Sequence, residues 1–186
     1  MNVFQELIYN TDPNLGNMLI TNDWQVKIID FTREFRTREG LRTPEDPGSA
    51  FGIFRIPTVA ACHALMMSPI PNKFPELRWG FIEASAGWVP WVITEAKNRY
   101  QGAGRKFPAN VMKEYNIYVT CQTDDDVPYI LQCAGEDNIV IGTDYGHFDP
   151  SSEVDAISVL KEQGTLSESA MTKILRDNPK AMYGLS

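Results

Sequence analysis

Residues 139–150 read Ile139-Val140-Ile141-Gly142-Thr143-Asp144-Tyr145-Gly146-His147-Phe148-Asp149-Pro150. Three β-branched residues, too short a run for a helix and stopped by Gly142, predict a strand buried on both faces. Asp144 follows at the C-terminal end of that strand, and His147 lies three residues further on in the same loop. In an α/β protein the loops beyond the strand ends carry the chemistry, and an acidic side chain there can bind a metal or move a proton. Asp144 and Asp149 can equally cap a turn and the next helix. Spacing alone leaves both readings open.

Downstream, Ser152 can cap a helix in which Val154, Ile157 and Leu160 share one apolar stripe and which Gly164 ends. A second helix begins near Ser167, with Ala170, Met171, Ile174 and Leu175 on one side, and meets Asn178-Pro179 before Met182 and Tyr183. Upstream, Phe74-Pro75-Glu76-Leu77-Arg78 leads into Trp79-Gly80-Phe81-Ile82, a compact apolar strand ending at Glu83. Ala84-Ser85-Ala86-Gly87 then turns the chain, and Trp88-Val89-Pro90-Trp91 enters a helix that runs to Tyr100. A carboxylate behind an apolar strand can serve as acid or base. It can also do no more than accept hydrogen bonds from the turn amides.

Pro57 can open a helix carrying Val59, Cys62, His63, Leu65 and Met66, closed by Ser68-Pro69. On that pattern His63 reads as a packed helix residue, because ligation would need partners the segment does not supply. Residues 108–115 form a short helix, and residues 116–121 alternate as a strand. Asp124-Asp125-Asp126 looks suited to a metal, but three carboxylates at a helix start are accounted for by the helix dipole. From residue 50 on, the chain reads helix, strand, helix, strand, helix, strand, helix, which predicts a parallel sheet.

Two motifs carry a family resemblance. Phe-Pro-Glu-Leu-Arg-Trp-Gly-Phe-Ile-Glu-Ala-Ser-Ala-Gly-Trp-Val-Pro-Trp at 74–91 is the stronger. Gly-Thr-Asp-Tyr-Gly-His at 142–147, with Lys-Ile-Leu-Arg-Asp-Asn-Pro-Lys-Ala-Met-Tyr-Gly-Leu at 173–185, is the other. Together they resemble the amidohydrolase-related family of metal-dependent TIM-barrel hydrolases and decarboxylases. The resemblance implies an α/β fold, namely the C-terminal portion of a (β/α)8 barrel with about three βα units, since a whole barrel needs about 250 residues. It implies a catalytic, metal-binding Asp144, a catalytic position at Glu83, and His147 and Trp88 around the substrate. It further implies a divalent metal, zinc or manganese, that activates water or polarises substrate for hydrolysis or non-oxidative decarboxylation of a small carboxylated or aromatic compound.

The departures are large. The sequence holds only two histidines, His63 and His147, so no His-x-His pair exists. A catalytic metal site needs about three protein ligands and an open position. Weak metal binding and little turnover are therefore expected of this chain without complementing strands. A non-catalytic or complementing interaction fragment is the alternative, its open sheet edge covered by another copy or another chain.

Composition bounds the partners. The 186 residues are 43% apolar and 11% aromatic, as in a folded protein. A net charge of −7 gives no basic footprint, so neither nucleic acid nor an anionic membrane is an expected partner. Residues 1–7 lack a basic n-region and an apolar h-region, and no run nears the roughly 18 apolar residues of a membrane span. A soluble, cytoplasmic protein is expected. Cys62, Cys121 and Cys133, odd in number and widely spaced, read as buried reduced thiols.

The first 45 residues have a different character and are separated from residues 46–186 by a Pro/Gly-bearing linker at 43–49. Asp12-Pro13-Asn14-Leu15-Gly16-Asn17 is turn-rich, Met18-Leu19-Ile20 a short strand, and Val26-Lys27-Ile28-Ile29 a second strand ending at Asp30, which makes a β-hairpin. The spacing of Asp12, Asn17 and Asp30 resembles the catalytic segment of kinase-like phosphotransferases, where such residues position the nucleophile and hold magnesium. No Gly-rich loop and no strand lysine precede Asp12 in the sequence.

Overall fold

The structure is a computed structural model and describes residues 18–20, 26–28, 51–143 and 153–185. Strands β1 (Met18–Ile20) and β2 (Val26–Ile28) pair antiparallel, with Met18 opposite Ile28 and Ile20 opposite Val26, so the expected hairpin is present. Strand β2 lies beside the first strand of the main sheet.

A π-helical turn, Phe51–Arg55, runs into α1 (Ile56–Met67), whose Pro57 sits in the first turn, where its missing N–H costs nothing. Then follow α2 (Ile70–Lys73), β3 (Trp79–Phe81), α3 (Val89–Gly102), α4 (Val111–Glu114) and β4 (Ile117–Cys121). The chain continues through α5 (Val127–Ala134), β5 (Ile139–Ile141), α6 (Ala156–Gln163), α7 (Glu168–Thr172), a second π-helical turn (Lys173–Asp177) and α8 (Asn178–Tyr183). Gly164 and Gly184 close α6 and α8 in the left-handed conformation that suits glycine.

Strands β3, β4 and β5 form one parallel sheet in sequence order, with Trp79 opposite Ile117 and Val119 opposite Ile139. This is the predicted succession of βα units, with three parallel strands among the described residues. One correction concerns β4: all five of its residues are buried, so it is a strand covered on both faces and not an alternating one.

The two faces are filled differently. Trp79, Phe81, Ile117, Val119, Cys121 and Ile139 join the main core with α1, α3 and α5. On the other face Tyr118 and Val140 meet Met182 of α8, with Ile82 packed against them. Gly80 leaves room for this packing: a Cβ there would stand 2.5 Å from Met182 Cε, and the Met side chain would have to shift. The last described helix thus covers the sheet face that α1, α3 and α5 leave open.

Asn178 anchors that helix. It is 4% exposed, and its Nδ2 donates to the carbonyls of Glu136 and Ile139, each at 2.7 Å, at the start of β5. The Asn-Pro pair is therefore a structural tie at the end of the sheet opposite to the strand C-termini. At the same end Asp137 accepts from Lys113 Nζ at 2.7 Å and Lys173 Nζ at 2.8 Å, which holds its carboxyl below the usual carboxylate range.

Candidate active-site rim at the strand C-termini

Glu83 lies two residues past β3, exposed, with φ of +62°, and Ser85 follows at +61°. A left-handed conformation costs a residue with a Cβ about 1–2 kcal/mol, so two within three residues persist only where their surroundings fix them. Three contacts do so. The Glu83 N–H donates to Oγ1 of buried Thr120 on β4 at 3.1 Å. Trp88 Nε1–H donates to the Ala84 carbonyl at 3.0 Å, and its ring meets Phe81 edge-on at 6.3 Å. Trp88 thus braces the loop wall and uses its polar atom in doing so.

The third contact is Asp125, in the loop after β4. One carboxylate oxygen accepts from the Ser85 hydroxyl and from Gly87 N–H at 3.1 Å. The other accepts from Ala86 N–H at 2.9 Å and Gln122 N–H at 2.8 Å. A Cβ at residue 87 would lie 3.2 Å from Asp125 Oδ1, so a side chain there would crowd the carboxylate by a few tenths of an ångström. The expectation for the acidic triplet is corrected here: Asp126 does cap α5, accepting from Tyr129 N–H at 3.2 Å, but Asp125 ties two loops together.

The sequence also gave no warning of Arg55. Its Nη2 donates to Gln122 Oε1 at 3.1 Å, which puts a half-buried cation on the same rim. Its one sequence signal is its place two residues before Pro57 at the head of α1.

Asp144 and His147 lie outside the described residues, as do Asp12, Asn17 and Asp30. Among the described residues no group of three His, Cys, Asp or Glu side chains could hold a metal ion. The described residues by themselves therefore do not complete a metal centre.

His63 is half-buried on α1 and lines a cavity of about 260 Å³ with Ile56, Trp91, Glu95 and Arg99. Its Nε2 is buried without a hydrogen-bond partner among the described residues, and burial followed by the nearby Arg99 lowers its pKa. Cys62 and Cys121 are fully buried, and burial pushes the Cys121 thiol up to about 12. Cys133 is exposed, contrary to the expectation for it.

No described helix is long and apolar enough to cross a membrane. No curated protein matches the chain. Solved structures do. An amidohydrolase from Mycobacterium avium subsp. paratuberculosis matches with a TM-score of 0.59 at 23% identity, over 77% of this chain and 37% of that one. The 5-carboxyvanillate decarboxylase of Sphingomonas paucimobilis matches with a TM-score of 0.57 at 15% identity, over 76% and 44%. A dihydroxybenzoic acid decarboxylase from a Polaromonas species, with bound manganese and the inhibitor 2-nitroresorcinol, matches with a TM-score of 0.51 at 19% identity, over 77% and 48%. At these identities the likeness establishes the fold, and the chain spans less than half the length of each. The kinase-like resemblance gains no support from these findings. The sequence itself matches the amidohydrolase family over residues 23–185, a span that takes in Asp30, Glu83, Asp144 and the Asn178-Pro179 tie. On that match the chain belongs to the amidohydrolase family.

Proposed function

We propose that this chain supplies the C-terminal strands and active-site rim of an amidohydrolase-type enzyme acting on a small carboxylated or aromatic compound, by hydrolysis or non-oxidative decarboxylation. The carrying observation is Glu83, an exposed carboxylate held left-handed at the C-terminal end of a parallel strand. Chemistry in βα barrels gathers at that face, and strained non-glycine residues cluster at functional sites. In the decarboxylation form, the carbon–carbon bond to the carboxylate breaks, carbon dioxide leaves, and a proton arrives at the carbon it left. Glu83 is assigned that proton, and Arg55, on the same rim, is assigned to a substrate carboxylate. Asp144 and His147 stay in the reading as metal-binding acid and substrate contact, with zinc or manganese as the metal and Trp88 as wall. The division at residue 46 is kept with it.

The test is incubation of the chain with 2,6-dihydroxybenzoate or 5-carboxyvanillate and added manganese or zinc, following product by chromatography. Turnover that Glu83→Gln and Asp144→Asn each reduce by about 100-fold or more supports the assignment. Absence of turnover and of metal uptake in the wild type overturns it for the isolated chain.

A second reading, a complementing fragment, is favoured by one observation: the described sheet has three parallel strands, and the chain covers 37–48% of its structural neighbours. A solution mass well above 21.0 kDa, or activity only after mixing with a chain that supplies the other strands, supports that reading. A compact active monomer refutes it.

A further inference from the structure

The loop after β3 is bound by a residue about forty positions downstream. Asp125 gathers four donors on two oxygens: the Ser85 hydroxyl, Gly87 N–H, Ala86 N–H and Gln122 N–H. Gln122 in turn accepts from Arg55 through its side-chain oxygen. One carboxylate is thus continuous with three segments of the rim: the turn before α1, the loop after β3 and the loop after β4. A side chain at Gly87 would crowd it, with a Cβ 3.2 Å from Asp125 Oδ1. Helix capping does not need this arrangement, because Asp126 already caps α5. Nor does local turn formation, since three of the four donors lie 38 to 40 residues away.

We infer that Asp125 is the positioning residue of the rim: its carboxylate fixes the loop after β3 in the left-handed arrangement that presents Glu83 and, through Gln122, orients Arg55. This rests on the reading that the strand C-termini form the site. The chemistry is specific to a carboxylate. With two donors on each oxygen, an amide in its place sets an NH2 against at least one backbone N–H, although its shape is nearly the same and the Ser85 hydroxyl can turn to accept from it. Losing the tie leaves backbone N–H groups of the two loops short of an acceptor, with Gly87 N–H keeping only the Ser85 hydroxyl oxygen at 3.3 Å, and removes one of the three supports of the two positive φ angles.

The test uses the full chain as wild type, Asp125→Asn and, as a control at the opposite end of the sheet, Asp137→Asn. Nitrogen–proton NMR spectra of folded samples report the loop, and titration with 2,6-dihydroxybenzoate and manganese reports the site. Asp125→Asn is expected to shift or broaden the backbone resonances of Glu83, Ser85, Ala86 and Gly87 and the Trp88 indole signal. It leaves the Asn178 side-chain signals unmoved and weakens ligand binding by about 10- to 100-fold per folded molecule, the usual scale for supporting residues. Asp137→Asn is expected to do the reverse, moving Asn178 and sparing the ligand. Unmoved loop resonances in Asp125→Asn overturn the inference. Moved resonances with unchanged binding overturn its positioning role and leave a purely structural tie. If the wild type itself binds neither probe, the site reading fails, and the role of Asp125 in presenting Glu83 and orienting Arg55 falls with it, whatever the spectra show.

Discussion

Asn178 offers the sharpest test of how the fold is held. Its Nδ2 donates both hydrogens, to the carbonyls of Glu136 and Ile139, from a side chain 4% exposed. In Asn178→Ala two hydrogen bonds go, each contributing about 0.5–1.5 kcal/mol, and the buried Ile139 carbonyl loses this partner at about 1–3 kcal/mol, so a loss near 3 kcal/mol is expected. That is a large part of the roughly 5–15 kcal/mol of a typical domain. At about 2–4 °C per kcal/mol for a chain of this size, it lowers Tm by about 6–12 °C, read by circular dichroism at 222 nm with urea titration as a check. Asn178→Asp isolates the cause. It keeps the shape but turns a donor into an acceptor facing two carbonyl oxygens, and it should cost at least as much above pH 6. If Asn178→Asp is as stable as wild type, the donor geometry is not what holds α8, and the structural account of the Asn-Pro signature fails.

Asp137→Asn should lower stability near pH 7 and matter less in acid. The folded carboxyl is held below its unfolded value by Lys113 and Lys173, so its contribution is present above about pH 4 and lost as pH falls through the folded value. Urea melts at pH 7 and pH 3 check this, and an unchanged difference between the two refutes it. His63→Leu should flatten the pH dependence between about 7 and 5, because a histidine with a lowered folded pKa favours the unfolded state as pH drops below about 6.5. Parallel melts of wild type and variant decide it, and identical slopes count against the buried Nε2. Among the three cysteines, native protein at pH 8 should react quickly with a thiol reagent only at exposed Cys133, while Cys62 and Cys121 should react after unfolding in guanidinium. Fast reaction of all three refutes the burial.

Elements whose cause is local could be read from the sequence. The apolar runs at 79–81 and 139–141 are strands, Pro57 opens α1, Ser68 closes it, Gly164 ends α6, and residues 18–20 and 26–28 make a hairpin, because period and turn chemistry act within a few residues. Alternation of strand and helix was enough to give the parallel sheet, and the motifs around Glu83 and Asn178 were enough to give the family. Burial of β4 on both faces was not legible, because it depends on Met182 of a helix some sixty residues on reaching Tyr118's side of the sheet.

The rim shows the same division. Glu83 could be picked out because a carboxylate after an apolar strand is a local pattern. Asp125 could not: in sequence it is the middle of three aspartates before a helix, indistinguishable from its neighbours. The register of β3 against β4 sets the loop after one beside the loop after the other, and there four donors meet one carboxylate. Arg55 joins them through Gln122 across 67 residues. Local period and turn residues specify where each element begins and ends. Hydrogen bonds between distant loops exist only once the sheet has aligned them, so the tertiary structure alone decided which of the acidic residues holds the site in shape.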